Sequence, residues 1–222
     1  MEGAGAGAHK AGAGDEGLEE LLARVRACRV CRDAPRFGPP LPHEPRPVVQ
    51  AAPGARLAIL SQAPGARVQA SGRPFTDASG DRLREWLQLD KERFYDPTHV
   101  AIVPMGFCFP GYDAKGSDLP PRRECAPLWL DDILQHLESL ELVVLVGGYA
   151  QKWHLDPAQR QGGLTETVHR WREIYRPEAP RRVIPLPHPS WRNTGWLKRN
   201  PWFEAELLPV LRSEVATLMG KG

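Results

Sequence analysis

No run of about eighteen apolar residues occurs anywhere in this 222-residue chain, so nothing in the sequence has the length of a membrane-spanning helix. The N-terminal stretch lacks the basic-then-apolar pattern of an export signal, and a soluble, cytoplasmic protein is expected. Net charge is also scarce. At +2 it gives no argument for a nucleic-acid partner, which has to come from where the basic residues lie. Between Ala179 and Phe203 there is no Asp or Glu at all, while Arg181, Arg182, Arg192, Lys198 and Arg199 fall inside that window. They read either as a DNA-facing patch or as a solvated basic face. No internal repeat is present, which excludes solenoid and propeller architectures.

The length and ordinary apolar content fit one domain with a sizeable core. Residues 1–16 form a Gly/Ala tract with too little bulk to offset the entropy of ordering, and are expected to be a disordered tail ahead of a single domain over 17–222. Leu18, Leu21, Leu22 and Val25 recur at helical spacing. Arg32 to Pro53 is Pro-rich and reads as an irregular connector. Apolar runs at Leu57–Ser61, Val100–Val103, Leu142–Val146 and Val183–Leu186 alternate with helical patterns carrying Leu83, Trp86 and Leu87, then Leu130–Leu137, then Leu164, Val168 and Trp171. Pro185 and Pro187 push the last run to a sheet edge. Asn200-Pro201 reads as an N-cap opening a final helix through Leu207, Leu211 and Val215. This alternation predicts an α/β fold: a three-layer α/β/α sandwich around a central, mainly parallel sheet of about four strands.

Cysteine is limited to Cys28, Cys31, Cys108 and Cys125. In a reducing compartment one close pair and two separated thiols point to metal rather than disulfides. Zinc more often takes two short-spaced pairs, whereas an iron–sulfur cluster tolerates this spacing, and four buried thiols without metal are the remaining reading.

The remaining chemistry sits in two segments. Ser61-Gln62-Ala63-Pro64-Gly65 follows the first strand and runs on to Gly72-Arg73-Pro74-Phe75-Thr76-Asp77-Ala78-Ser79-Gly80-Asp81; far downstream, His188-Pro189-Ser190 follows the last strand. Together they resemble the uracil-DNA glycosylase superfamily, and are similar above all to its iron–sulfur branches often numbered four and five. Four consequences of that resemblance bear on the site. Asp77 would orient or activate water, and Asp81 would be structural. His188 would hydrogen-bond the uracil carbonyl and stabilise the departing anion. Gln62, Ala63, Pro64 and Gly65 would line the base site and Phe75 would stack on the extruded base, with Ser190, Arg192 and Asn193 gripping phosphates. The four cysteines would hold a structural [4Fe–4S] cluster that clamps the connector and the 109–124 loop.

Each assignment has a plainer counterpart: Phe75 as core, Asp77 as a helix N-cap, His188 as a structural residue. Trp191 and Trp196 are both candidates for a wedge into the DNA stack and equally for packing anchors. Where one branch carries a glutamate this chain has Gln62, so the carboxylate has to come from elsewhere. The family's Asn after the second strand is missing around Pro104-Met105-Gly106. The resemblance implies a monofunctional DNA glycosylase acting on uracil and other deaminated bases, and a monomer is expected. A catalytically inactive DNA-binding protein of the same fold is the rival. Covalent capture by histidine is disfavoured because the 109–124 loop holds none.

Overall fold

The computed structural model describes residues 17–220; the expectation for the 1–16 tail lies outside them. Four strands, β1 (Leu57–Ser61), β2 (Val100–Pro104), β3 (Leu142–Val146) and β4 (Arg182–Leu186), form one all-parallel sheet in the order β2-β1-β3-β4. The first three are buried along their whole length, which is why they read as unbroken apolar runs rather than alternating ones. Alternate residues nevertheless serve different layers. Ala58, Leu60, Ala101, Val103, Val143 and Leu145 pack with the helices Leu18–Arg26, Asp131–Gln135 and Gly148–His154. Leu57, Ile59, Val100, Ile102, Leu142 and Val144 pack with Ala78–Leu87, Gly163–His169 and Leu208–Gly220. The three-layer α/β sandwich is therefore present, with β4 on an edge as its prolines require. No helix among the described residues is long and apolar enough to cross a membrane.

Several local expectations are corrected. The Leu130–Leu137 helix is shorter. A π-type turn over Ala126–Leu130, with Pro127 in its first turn, leads into Asp131–Gln135, and Leu137 lies past its end. The helix carrying Leu164, Val168 and Trp171 breaks at Arg170 into Gly163–His169 and Trp171–Ile174. Asn200 does not cap by its side chain. Its amide nitrogen donates to Trp196 O and its carbonyl accepts from the Trp202 indole, so the last helix starts beyond it through a π-type turn, Phe203–Leu207. The acid-free window is also not one face. Arg182 starts β4 and pairs with Glu214 and Glu141 at the opposite end of the sheet, and Arg181 stands with Asp131 and Glu138, whereas Arg192 stands beside the strand ends described next.

Candidate active site

The chain runs from β1 out to β2 on one side and then crosses to β3 on the other, so the strand order switches between β1 and β3. In open parallel sheets the crevice beyond the strand C-termini at that switch is where ligands bind. Here Gln62 follows β1, Gly147 follows β3 and His188 follows β4. Gly147 holds a φ of +84°, and a Cβ on it would stand 3.6 Å from His188 Cβ and 4.0 Å from Gln62 Oε1. The cavity above them, about 510 Å³ including its open mouth, is lined by Gln62, Ala63, Pro64, Gly65, Phe75, Asp77, Pro104, Asp118 and His188. A wider groove continues outward past Asp77, Asp118, Ser190, Trp191, Arg192 and Asn193.

Asp77 is a helix N-cap that also faces the cavity. Its Oδ1 accepts from Ser79 Oγ at 2.6 Å and from Gly80 N at 3.3 Å, capping the Ala78–Leu87 helix, and the same carboxylate lines the cavity. Asp81 turns away to pair with Arg84. Arg84 is buried and, with the Tyr95 hydroxyl, donates to Phe75 O. These donors, together with edge-on packing against Phe94, fix Phe75 at a φ of +52°, a left-handed conformation that is costly for a bulky residue. Phe75 thus packs in the core and presents itself to the cavity at once.

His188 is half-buried. Ser190 N–H donates to its Nδ1 at 3.2 Å, so in the neutral ring the proton sits on Nε2. Burial pushes its pKa below the ordinary histidine value, against the opposing pull of Asp77. The site therefore pairs a neutral Nε2–H donor with a carboxylate across one cavity. Asn193 braces this loop by donating from its amide to His188 O at 2.7 Å, and Ser190 Oγ accepts from Arg192 N while Ser190 O accepts from Arg82. Arg192 and Trp191, the latter 70 % exposed, stand at the groove. Trp196 is engaged elsewhere: its indole donates to Thr165 and its ring packs on Trp202 and Phe203.

One site residue has no sequence signal. Asp118 follows a tight turn held by the Asp113 carboxylate, pairs as an isolated bridge with Tyr112, and brings its Oδ2 to within 3.5 Å of where a Cβ on Gly65 would be. Partial burial raises its pKa, with Asp77 adding to the rise and Arg192 opposing it.

The four cysteines line one apolar pocket with Val25, Leu41, Phe107 and Trp129. Cys31 and Cys125 stand 4.0 Å apart. Hydrogen bonding from Cys125 brings Cys31 down to about 7; burial drives Cys108 up to about 12, and the bond to Cys31 together with burial raises Cys125. Among the described residues no three His, Cys, Asp or Glu side chains converge on a single-ion site. Two buried donors beside the thiols, Trp129 Nε1 and Arg122 Nε, have no acceptor in the protein.

A second buried histidine bears on stability. His154 Nε2 lacks a hydrogen-bond partner, and burial pushes its pKa down to about 4, outweighing the attraction of Asp131. A depressed folded-state pKa means that the unfolded chain binds the proton first, so this stability is complete above about pH 6.5 and is lost as pH falls through about 4. Melting temperature is expected to drop across that interval, and a His154→Phe variant to show a shallower acid slope. Equal slopes would contradict the assignment.

An open parallel sheet with a carboxylate, a neutral imidazole and an aromatic ring gathered at its switch point has the layout of an α/β enzyme site. The sequence profile of the uracil DNA glycosylase superfamily matches residues 48–212, and the chain belongs to that superfamily. The match takes in every cavity residue named above and leaves out only Cys28 and Cys31 of the cysteine set.

Proposed function

We propose that this protein is a monofunctional glycosylase that hydrolyses the bond between deoxyribose and uracil, or another deaminated base, in DNA, leaving an abasic site for base excision repair. The observation that carries this reading is that Asp77 and His188, 111 positions apart in sequence, line the same cavity beside Phe75. A base turned out of the helix would lie on Phe75 with its shape set by Gln62, Ala63, Pro64 and Gly65. As the C1′–N bond breaks, its electron pair leaves with the base, and the Nε2–H of His188 stabilises the resulting anion at a carbonyl oxygen. Asp77 orients water toward the cationic C1′. The water oxygen forms the new bond and its proton passes to the carboxylate. Ser190 and Arg192 hold phosphates while Asn193 keeps the His188 loop in place, and the exposed Trp191, rather than the packed Trp196, fills the gap left by the base. Neither the cavity nor the groove is lined by lysine, so no Schiff base forms and the strand stays whole.

The donor set suits a [4Fe–4S] cluster on Cys28, Cys31, Cys108 and Cys125. All four thiols line one pocket that holds no other ligating side chain, and the unpartnered Trp129 and Arg122 donors would find sulfur acceptors there. When bound, the cluster supplies a structural cross-link and no redox step. It joins the end of the Leu18–Arg26 helix to the segment after β2 and to the start of the Ala126–Leu130 turn. Protein purified without oxygen is expected to be brown and iron-loaded, and a Cys31→Ser, Cys125→Ser double variant colourless. A colourless, iron-free wild type with full activity would overturn the cluster.

The function is tested by incubating the protein with a uracil-containing oligonucleotide and then treating with alkali. The expected outcome is a strand cut at uracil only after alkali. An intact strand would mean an inactive binder, and a protein-linked strand covalent capture.

A further inference from the structure

On the side of the strand ends away from Asp77, a second groove runs between the Gly148–His154 helix and the start of the Ala126–Leu130 turn. Its floor is apolar, and three aromatic side chains stand out of it: Phe37, Tyr149 and Trp153, each between 43 and 44 % exposed. Four basic residues, Arg36, Arg122, Arg123 and Lys152, surround them, with the Arg123 guanidinium 4.6 Å over the Phe37 ring. The sole acid lining it, Glu124, is buried. It accepts from the backbone N–H groups of Arg36 and Phe37 and faces Arg122, so it offers no free negative charge.

Interleaved rings and cations with no free acid are the recognition elements of an unpaired nucleic-acid strand: each base has a face to stack, and each phosphate needs a cation. The three exposed rings favour bases, each with a flat face to stack, over an acidic peptide, which would meet only the cations. The groove adjoins the base cavity across one loop. Gly106 N–H donates to Gln62 O and Met105 N–H to Ser61 O, tying its rear wall to the β1 end, and the Asp118–Pro121 segment divides the two depressions. Tyr149 lies two residues beyond Gly147, which packs on His188.

We infer that this groove binds the unpaired DNA strand flanking the extruded nucleotide, with Tyr149 and Trp153 stacking successive bases and Lys152 and Arg123 on the phosphates. The inference rests on the reading that the protein acts on DNA. It implies a longer single-strand footprint than the base cavity alone would give.

The test measures binding of uracil-free single-stranded oligonucleotides of about 4 and about 16 nucleotides by fluorescence anisotropy, with wild type and a Tyr149→Ala, Trp153→Ala double variant. All three groove side chains to be changed are exposed, so the variants are expected to melt as wild type does. Wild type should prefer the long strand, the double variant should lose about tenfold affinity for it per aromatic removed, and the preference for length should collapse. Lys152→Gln should lower the salt slope of long-strand binding by about 0.7. A double variant that binds the long strand as wild type does would overturn the groove assignment and leave the glycosylase reading standing. A wild type that binds neither strand would likewise overturn the groove assignment, and the alkali assay on uracil-containing DNA decides the glycosylase reading separately.

Discussion

Asp77→Asn is expected to lower single-turnover uracil release by about 10²- to 10⁴-fold, the range a positioned acid–base group supplies, while changing stability by no more than about 1 kcal/mol. The separation is possible because the observed cap and the proposed handling of water require different things of Asp77. Capping needs an oxygen acceptor for Ser79 Oγ and Gly80 N, and asparagine supplies one as well as aspartate does. Orienting water and taking its proton needs the charge. Asp77→Ala, by contrast, should lose both and cost about 1 kcal/mol in addition. Asn with wild-type turnover would remove Asp77 from the chemistry and direct attention to Asp118, the other carboxylate in the cavity.

Gly80→Ala is the second large effect, and its sign opposes helix propensity. In a helix interior alanine normally stabilises over glycine by about 1 kcal/mol. Here a Cβ at position 80 would lie 1.8 Å from Phe75 O and 2.6 Å from Phe75 C, both backbone atoms that cannot rotate aside. Phe75 is held at its left-handed φ by Tyr95 and Arg84, so it has no relaxed conformation to retreat into without losing those bonds. A destabilisation of about 3 kcal/mol, the upper end for overpacking, is expected, or roughly 6–12 °C in melting temperature for a domain of this size. Base release should fall with it, because the Phe75 ring, proposed to stack the base, moves. An unchanged or raised melting temperature would show that the close approach of the helix to Phe75 is not as described.

The parts of the fold that sequence made plain are those governed by local pattern. Leu57–Ser61 and Leu142–Val146 are buried on both faces, so their apolar runs survive any tertiary context. Pro185 and Pro187 allow β4 only an edge. Apolar spacing over Leu130–Leu137 does not distinguish an α-helix from a π-type turn entered through Pro127, which is why the α-helix there is shorter than the pattern. Asn200 has the sequence context of a cap, yet its amide is taken by Trp196 four residues before it and Trp202 two residues after it, local partners that compete with the capping bond. Short helices such as Ala66–Ser71 and Gly148–His154 carry too few residues to show a period, and the second of them forms one wall of the flanking groove.

The site divides the same way. That Gln62 and His188 line the cavity was legible because each follows a strand end beside a Pro turn, whereas Asp77, beyond the Ala66–Ser71 helix, stood out only through the resemblance of its segment to the glycosylase motif. Asp118 was not legible, since nothing in its sequence neighbourhood distinguishes it from a solvated loop acid. It reaches the cavity because the Asp113 turn folds the loop back over Gly65. Arg181 and Arg182 misled in the opposite direction: adjacent to the His188 segment in sequence, they lie at the far end of β4.

The most direct measurement is a crystal structure of wild type with free uracil and an oligonucleotide containing an abasic site. The account predicts a uracil carbonyl oxygen within hydrogen-bond reach of His188 Nε2, the ring laid on Phe75, and a water between the sugar C1′ and the Asp77 carboxylate. Uracil bound outside this cavity, or a C1′ with no water path to Asp77, would contradict it.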